Sequence, residues 1–399
     1  DNIYVLINTH QSSPNSRDIM LRKYDPNGGL LWTNFYNGSG NGDDWARELH
    51  VDATGNATVL ANSKGAAIEP DLTVLRYDPQ GILAWESRTG VNSSSEVVVQ
   101  DLLVDPFGRS VVLASLNYDQ FSFQFDQATV FGISNTGMVL WDTITNVVSG
   151  RVYGIEMAYD ANGNVVVYMM EEIPAGYLVN FAVMNPVTGN TIGSSSSTGM
   201  AGPSPPAHAM SLGLDGSIYA TYGRAPNQRI IKVNGNTMAR VWDKPLDPTY
   251  MAIDQQRHTL KTLSNGNLLF GGMTNYTSSN DFQDDNLLFL ELDTAGNQVQ
   301  RIEWNGPADA KDQMESFMVD GNKIYAVGQG MDFVPNRDMA LFSYNLATNN
   351  DWYRLRNFTI EGNCHLIKVV TDGLGNIHLG GYVTGEDMVS GLKIAKYDP

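Results

Sequence analysis

The stretch Leu49-His50-Val51-Asp52-Ala53-Thr54-Gly55-Asn56 is an apolar run that ends in Asp and is followed by Gly-Asn. A second apolar run follows at once, from Ala57 to Ala61. Asp caps a tight turn with its own side chain, and Gly takes the left-handed conformation that such turns require. Apolar runs on both sides of a turn are typical of paired strands. The stretch therefore predicts two antiparallel strands joined by a tight turn.

This turn phrase recurs along the whole chain. Further copies, some of them shortened, begin at Val104, Tyr159, Leu214, Leu263, Val319 and Thr371. A second turn phrase, Tyr-Asp-Pro in its fullest form, recurs at the same interval and begins at Tyr24, Tyr77, Ile133, Met184, Val233, Leu292, Tyr344 and Tyr397. Asp25 and Asp398 are seven steps apart, which gives about 53 residues per repeat, the size of one four-stranded propeller blade.

The repeat predicts an all-β, single-ring β-propeller whose blades each contain strands A, B, C and D in chain order. The N-terminal repeat supplies B, C and D, the C-terminal repeat supplies A, B and C, and six complete repeats lie between them. Both terminal repeats contain B and C, so we expect eight blades, with seven as the alternative. We expect one domain over 1–399, with repeat units near 1–45, 46–97, 98–152, 153–208, 209–257, 258–314, 315–364 and 365–399.

Tryptophans support this register. Trp32, Trp85, Trp141 and Trp352 each follow the second turn phrase by the same number of residues, and Trp242 is one residue further on. Large aromatic side chains at a repeat interval are typical of packing between repeats, so we expect these five to lie between blades.

Composition narrows the classes of partner. The chain has 25 Lys and Arg against 43 Asp and Glu, a net charge of −18, which disfavours binding to nucleic acid or anionic membranes. A single cysteine, Cys364, excludes an intramolecular disulfide. Apolar runs are too short to predict a membrane span. The chain begins within a strand and ends within a turn phrase, and we expect it to be part of a larger surface protein.

The repeat resembles the bacterial SBBP propeller repeats found in secreted proteins of the Bacteroidetes type. The unit 52–104 carries the resemblance through Asp52, Gly55, Asn56, Tyr77, Asp78, Gly81 and Trp85. The resemblance covers essentially the whole chain and implies a secreted or cell-surface protein, exported by type IX secretion. It does not imply one activity, because propellers carry many functions.

The B–C and D–A loops are long and variable, whereas the A–B and C–D turns are short and repetitive. Function usually resides on variable loops held by a rigid scaffold, so we expect the loop end of the blades to bind a glycan or protein partner. The candidate binding residues are Tyr118, Phe121, Phe123, Tyr276, Phe333 and Arg337. The alternative for the alternating phenylalanines is an ordinary strand.

Three carboxylates, Glu48, Asp101 and Glu156, precede the Asp that ends strand A by the same four residues. From adjacent blades they would line the central channel and bind a cation such as Ca²⁺, the one candidate cofactor. The alternative is a solvated or ion-paired channel lining. Other repeats have Ser211, Leu260, Ser316 and Lys368 at this position, so the row of acids is incomplete.

No arrangement of residues defines a reaction, and a non-enzymatic role is favoured without excluding an enzyme. We expect an extracellular or cell-surface binding, adhesion or scaffold module. One alternative is a glycan-active hydrolase or lyase with the three carboxylates as acid and base. The other is a structural spacer within a larger surface protein.

Overall fold

The computed structural model describes residues 2–13, 16–64, 70–89, 96–118, 127–144, 152–173, 176–198, 209–223, 228–246, 250–251, 260–274, 286–306, 312–331, 337–356, 362–385 and 390–397. Strands are the regular elements of these residues, and no helix occurs among them. In particular, the described part of the chain contains no helix long and apolar enough to cross a membrane.

The chain forms two compact units, Asp1–Pro203 with Asn236–Met238, and Ser204–Gly235 with Ala239–Pro399. The first unit contains blades 1 to 4. Blade 1 consists of β1 (Ile3–Ser13), β2 (Ser16–Tyr24) and β3 (Leu30–Tyr36). Blade 2 consists of β4 (Asp44–Val51), β5 (Ala57–Lys64), β6 (Pro70–Tyr77) and β7 (Leu83–Thr89). Blade 3 consists of β8 (Glu96–Val104), β9 (Ser110–Tyr118), β10 (Gln127–Ile133) and β11 (Val139–Ile144). Blade 4 consists of β12 (Val152–Tyr159), β13 (Val165–Ile173), β14 (Gly176–Met184) and β15 (Thr191–Thr198).

The second unit contains blades 5 to 8. Blade 5 consists of β16 (Ala209–Leu212), β17 (Ser217–Tyr222), β18 (Arg229–Asn234) and β19 (Arg240–Pro245). Blade 6 consists of β20 (Tyr250–Met251), β21 (Leu260–Thr262), β22 (Leu268–Thr274), β23 (Leu287–Leu292) and β24 (Gln298–Trp304). Blade 7 consists of β25 (Gln313–Asp320), β26 (Lys323–Met331), β27 (Arg337–Asn345) and β28 (Asn350–Arg356). Blade 8 consists of β29 (Gly362–Thr371), β30 (Ile377–Gly385) and β31 (Ser390–Tyr397).

Every blade is an antiparallel sheet whose strands follow one another in chain order. Blades 1 and 8 have three strands among the described residues, as the predicted B–C–D and A–B–C repeats require. Blades 2 to 7 are complete, although the first strand of blade 6 is in two pieces, β20 and β21, that both pair with β22. The eight predicted repeats therefore correspond to eight sheets. That they form a single domain over 1–399 stays a prediction.

The core lies between consecutive blades of each unit. Between blades 2 and 3, for example, Leu60 and Val74 pack with Val99, Val112 and Phe131. Strands B and C are buried on both faces, which explains why their sequences are continuous apolar runs. Strand D is the outer edge of each blade and is largely exposed, as in the pattern of β11.

Candidate functional site

Two of the six predicted binding residues, Tyr118 and Arg337, lie at the B–C loop end of their blades. Tyr118 is the last residue of β9 and pairs with Glu96, and Arg337 begins β27 and pairs with Met331. The structure describes the backbone of both residues but not their side chains. Phe121, Phe123, Tyr276 and Phe333 lie outside the described residues. Their role in binding stays a prediction.

The three predicted carboxylates share one backbone feature. A register shift typical of a β-bulge occurs in β4 between Ala46 and Glu48, in β8 between Val99 and Asp101, and in β12 between Gly154 and Glu156. The same shift precedes Ser316 in β25 and Lys368 in β29. A bulge re-aims the side chain that follows it. The position singled out by the sequence is therefore the first residue after a repeated bulge.

Two of the three carboxylates, Glu48 and Asp101, connect the first strands of adjacent blades. Glu48 Oε2 accepts a hydrogen bond from the backbone N–H of Leu102 in the next blade (2.9 Å). Asp101 in turn accepts one from the N–H of Met157 in blade 4 and another from Leu102 (2.9 Å). Asp101 is 2% exposed and Glu156 is 4% exposed. Because a buried carboxylate needs hydrogen-bond donors, these contacts explain how an acid is retained at this position.

No group of three or more His, Cys, Asp and Glu side chains that could hold a metal ion occurs among the described residues. The hydrogen bonds of Glu48 and Asp101 to backbone N–H groups give both side chains a role in joining blades. A cation bound by Glu48, Asp101 and Glu156 stays a prediction, which a calcium-dependent shift in melting temperature would check.

Strand B contributes a second set of inter-blade contacts that the sequence analysis missed. Asn62 donates from Nδ2 to the carbonyl of Val97 (2.6 Å) and accepts at Oδ1 from the N–H of Val99 (3.2 Å). Asn8 makes the same pair of bonds to both backbone groups of Ala46. Ser115 accepts from the N–H of Gly154 (3.2 Å). A polar residue recurring at the repeat interval within apolar strands was the available signal. We call these contacts, together with those of Glu48 and Asp101, the inner seam.

Blades 5 and 6 of the second unit are joined by different chemistry. Ser211 in blade 5 and Thr262 in blade 6 share a hydrogen bond between their hydroxyls (2.8 Å). Neither side chain is charged. Ser211 stands at the position that Glu48, Asp101 and Glu156 take in the first unit, so a hydroxyl replaces the carboxylate between these two blades.

The tryptophans of strand D form an outer seam. A Cβ placed at Gly81, Gly137, Gly189 or Gly296 would lie 2.5–2.9 Å from a ring carbon of Trp32, Trp85, Trp141 or Trp242, respectively. Each of these glycines belongs to the C–D turn of the next blade and has a positive φ. The indole N–H of Trp85 also donates to the carbonyl of Asn135 (2.9 Å). The predicted packing between blades is confirmed for these four tryptophans, although their rings stay partly exposed.

The aspartates of the turn phrases close their own turns. Asp52 Oδ1 accepts from the N–H groups of Thr54 (2.9 Å) and Asn56 (3.0 Å), and its other oxygen pairs with Arg76. Burial alone would raise the pKa of Asp52, but the hydrogen bonds from Asn56 and Thr54 outweigh it and hold the pKa well below its ordinary value. The predicted capping role is confirmed here.

A buried polar network joins blades 1 and 2. Asp44 is fully buried and accepts hydrogen bonds from Ser63 Oγ (2.6 Å) and from the N–H groups of Gly38 (2.6 Å) and Lys64 (3.1 Å). Burial raises the pKa of Asp44, and these donors oppose the rise. Burial also raises the pKa of Tyr36 to about 12, so its hydroxyl stays a donor, to Glu86 (2.8 Å). Asp44, Ser63 and Tyr36 have partners and are buried, so their hydrogen bonds are structural.

No family model and no curated protein match this sequence. Solved structures do match. The chain is similar to a structure described as the Dos1 propeller, with a TM-score of 0.54 at 10% identity, over 97% of this chain and 88% of that one. Together with the eight antiparallel sheets, this similarity shows that the fold is an eight-bladed β-propeller, as predicted.

Two enzymes also share the fold. The polysaccharide lyase Uly1 matches with a TM-score of 0.50 at 12% identity, over 89% of this chain and 90% of that one. A puromycin-hydrolyzing peptidase of Mycobacterium tuberculosis matches with a TM-score of 0.51 at 13% identity, over 94% of this chain and 58% of that one. At such low sequence identities, the similarity shows a shared fold and does not show a shared activity.

Proposed function

We propose that this protein is an extracellular or cell-surface binding module that holds a glycan or protein partner at the loop end of its blades. One observation supports the proposal. The residues that recur at the repeat interval are engaged in contacts within and between blades, as Asp101, Asn62, Trp85 and Asp52 illustrate. Recognition then falls to side chains that do not recur, and the B–C and D–A loops are richest in these.

The candidate residues suit such a role. Tyr118, Phe121, Phe123, Tyr276 and Phe333 offer aromatic faces, and Arg337 offers a planar set of hydrogen-bond donors. Aromatic and Arg side chains contribute much of the free energy of binding at interfaces. A net charge of −18 favours partners that are neutral or basic over polyanions.

The alternative of a glycan-active hydrolase or lyase would use Glu48, Asp101 and Glu156 as acid and base. A general acid or base must reach the substrate within hydrogen-bond distance. Asp101 and Glu156 are buried, and Asp101 already accepts two backbone N–H groups. Their surroundings therefore favour binding over catalysis as the function of this module.

A glycan array tests the proposal, with mass spectrometry of the glycans after incubation. A variant with Phe121→Ala and Phe123→Ala is expected to lose retention. The matched control is Ile82→Ala, which removes an exposed apolar side chain beside a C–D turn and should retain binding. Glycans of altered mass after incubation would show that the protein is an enzyme and would overturn the proposal. If the array retains nothing, cross-linking to envelope proteins with the same two variants tests the protein-partner form.

A further inference from the structure

One A–B turn has an aromatic and a basic residue at two positions where its five-residue equivalents have neither. Five turns of the repeat have a small polar residue as the fifth residue of the turn: Asn56, Asn164, Ser217, Asn267 and Asn376. The turn 105–109 has Arg109 there instead. Its third residue is Phe107, where the other turns have Thr54, Asn162, Asp215, Asn265 and Leu374. Since the repeat defines what the fold needs at each position, departures from it indicate a role that the fold does not require.

The asparagine at the fifth position is structural. Asn56 donates from Nδ2 to Asp52 (2.9 Å), Asn164 to Asp160 (3.1 Å) and Asn376 to Asp372 (2.7 Å). Arg109 keeps this contact, because its Nε donates to Asp105 Oδ2 (2.6 Å). That ion pair also compensates for Gly132, which stands in strand C where blade 2 has Arg76.

The ion pair does not explain why an aromatic residue stands at position 107, and it does not involve the Nη groups of Arg109. Phe107 is 75% exposed, and the Arg109 side chain is 31% exposed. The guanidinium carbon lies 5.5 Å from the centre of the Phe107 ring. In the described part of the chain, the Arg109 side chain donates one hydrogen bond, from Nε, so its Nη groups keep donors for a ligand.

These side chains line an open depression of roughly 320 Å³ together with Ser134 and Asn135 of the C–D turn. This second turn departs from the repeat as well, because Ser134 stands where every other copy of the second turn phrase has Asp or Asn. The Asn135 side chain is exposed, while its backbone carbonyl accepts the Trp85 indole N–H, which fixes the turn. Three departures from the repeat thus meet at one concave surface.

We propose that this depression is a binding site for a hexose unit of a neutral oligosaccharide, separate from the loop end and independent of the function proposed there. The Phe107 ring offers an apolar surface to the C–H face of a sugar ring. The Nη groups of Arg109 and the amide of Asn135 would supply hydrogen bonds to the hydroxyl oxygens of the sugar. Arg109 is already paired with Asp105 and the chain carries −18, so a neutral sugar is favoured over a uronate.

The test uses the whole chain and calorimetric titration with cellohexaose, maltohexaose and an oligogalacturonate of six units. The double variant Phe107→Asn, Arg109→Asn restores the sequence pattern of the turn 160–164, so it should fold with an unchanged melting temperature. We expect at least one neutral hexasaccharide to bind the wild type and to bind the double variant at least about tenfold more weakly, a loss of about 1.4 kcal/mol.

Leu374→Asn is the matched control, because Leu374 is the equivalent of Phe107 in blade 8 and is 81% exposed. It should leave the affinity unchanged. The assignment is overturned if no neutral hexasaccharide binds, if the oligogalacturonate alone binds, or if binding persists in the double variant. Binding that persists there but is lost in Phe121→Ala, Phe123→Ala belongs to the loop end, so the two proposals fail separately.

Discussion

The inner and outer seams join the same blades by different means. At the inner seam, Asp101 and Asn62 bond buried backbone groups of the neighbouring first strand. At the outer seam, Trp85 lies over Gly137, a glycine with positive φ, and the ring stays partly exposed. Charge and hydrogen bonds therefore dominate one seam, and shape dominates the other.

The difference shows that residues recurring at the repeat interval can serve the fold. The row of tryptophans was predicted to pack between blades, and the row of acids was predicted to bind a cation, which stays a prediction. In the structure, members of both rows hold blades together. Residues that depart from the repeat, such as Phe107 and Arg109, are better indicators of binding than residues that follow it.

The largest expected effect is at the inner seam. Asp101→Ala removes the acceptor of the Met157 N–H and leaves that buried donor without a partner, so we expect a loss of about 3 kcal/mol in the free energy of unfolding. Urea unfolding followed by tryptophan fluorescence measures it. Ser211→Ala, at the hydroxyl pair between blades 5 and 6, should cost about 1 kcal/mol. Equal losses would show that the buried carboxylate joins blades no more strongly than the hydroxyl pair does.

Asn62→Ala tests the contribution of strand B to the same seam. The change removes two hydrogen bonds, to the Val97 carbonyl and from the Val99 N–H, and we expect a loss of about 2 kcal/mol. Asn62→Asp keeps an acceptor for the Val99 N–H but loses the donor to the Val97 carbonyl, so its free energy of unfolding should fall by at least as much. Wild-type stability in Asn62→Ala would show that the contact contributes nothing.

At the outer seam, Gly81→Ala tests whether close packing against the glycine contributes to stability. Both Gly28 and Gly81 lie in C–D turns with φ near +86°, but a Cβ meets the Asn34 amide and the Trp32 ring at Gly81 and nothing within 4 Å at Gly28. Gly28→Ala should cost about 1 kcal/mol for the backbone alone. Gly81→Ala should cost about 1 kcal/mol more, because these two side chains must shift. A thermal or urea midpoint for each variant checks the difference; identical midpoints would contradict the packing argument.

The smallest effect concerns the turns between strands A and B. Because the folded state lowers the pKa of Asp52, its contribution to stability is complete above the ordinary value of 3.8 and is lost as the pH falls toward the folded value. Asp52→Asn should therefore flatten the acid side of a plot of unfolding midpoint against pH, with no change in its slope near neutral pH. An unchanged acid limb in the variant would mean that other groups govern acid unfolding.

Much of the fold could be predicted because the turn residues recur. Asp52, Gly55 and Asn56 indicate a turn by local chemistry alone, and their spacing set the number of blades and the strands of the two terminal repeats. The candidate site was harder to predict. The common register of Glu48, Asp101 and Glu156 was visible in the sequence, but the bulge before each of them was not. A bulge depends on pairing with another strand, and such pairing leaves no local signal.

The sequence by itself determined the strand order, the repeat length and the positions of the turns, because these depend on residues close together in the chain. Only the tertiary structure decided that Asp101 bonds Met157, that Trp85 lies over Gly137, and that Phe107 and Arg109 share a depression with Asn135. Each of these contacts joins strands or turns that are distant in sequence. Their geometry follows from how sheets pack and twist, which no single repeat encodes.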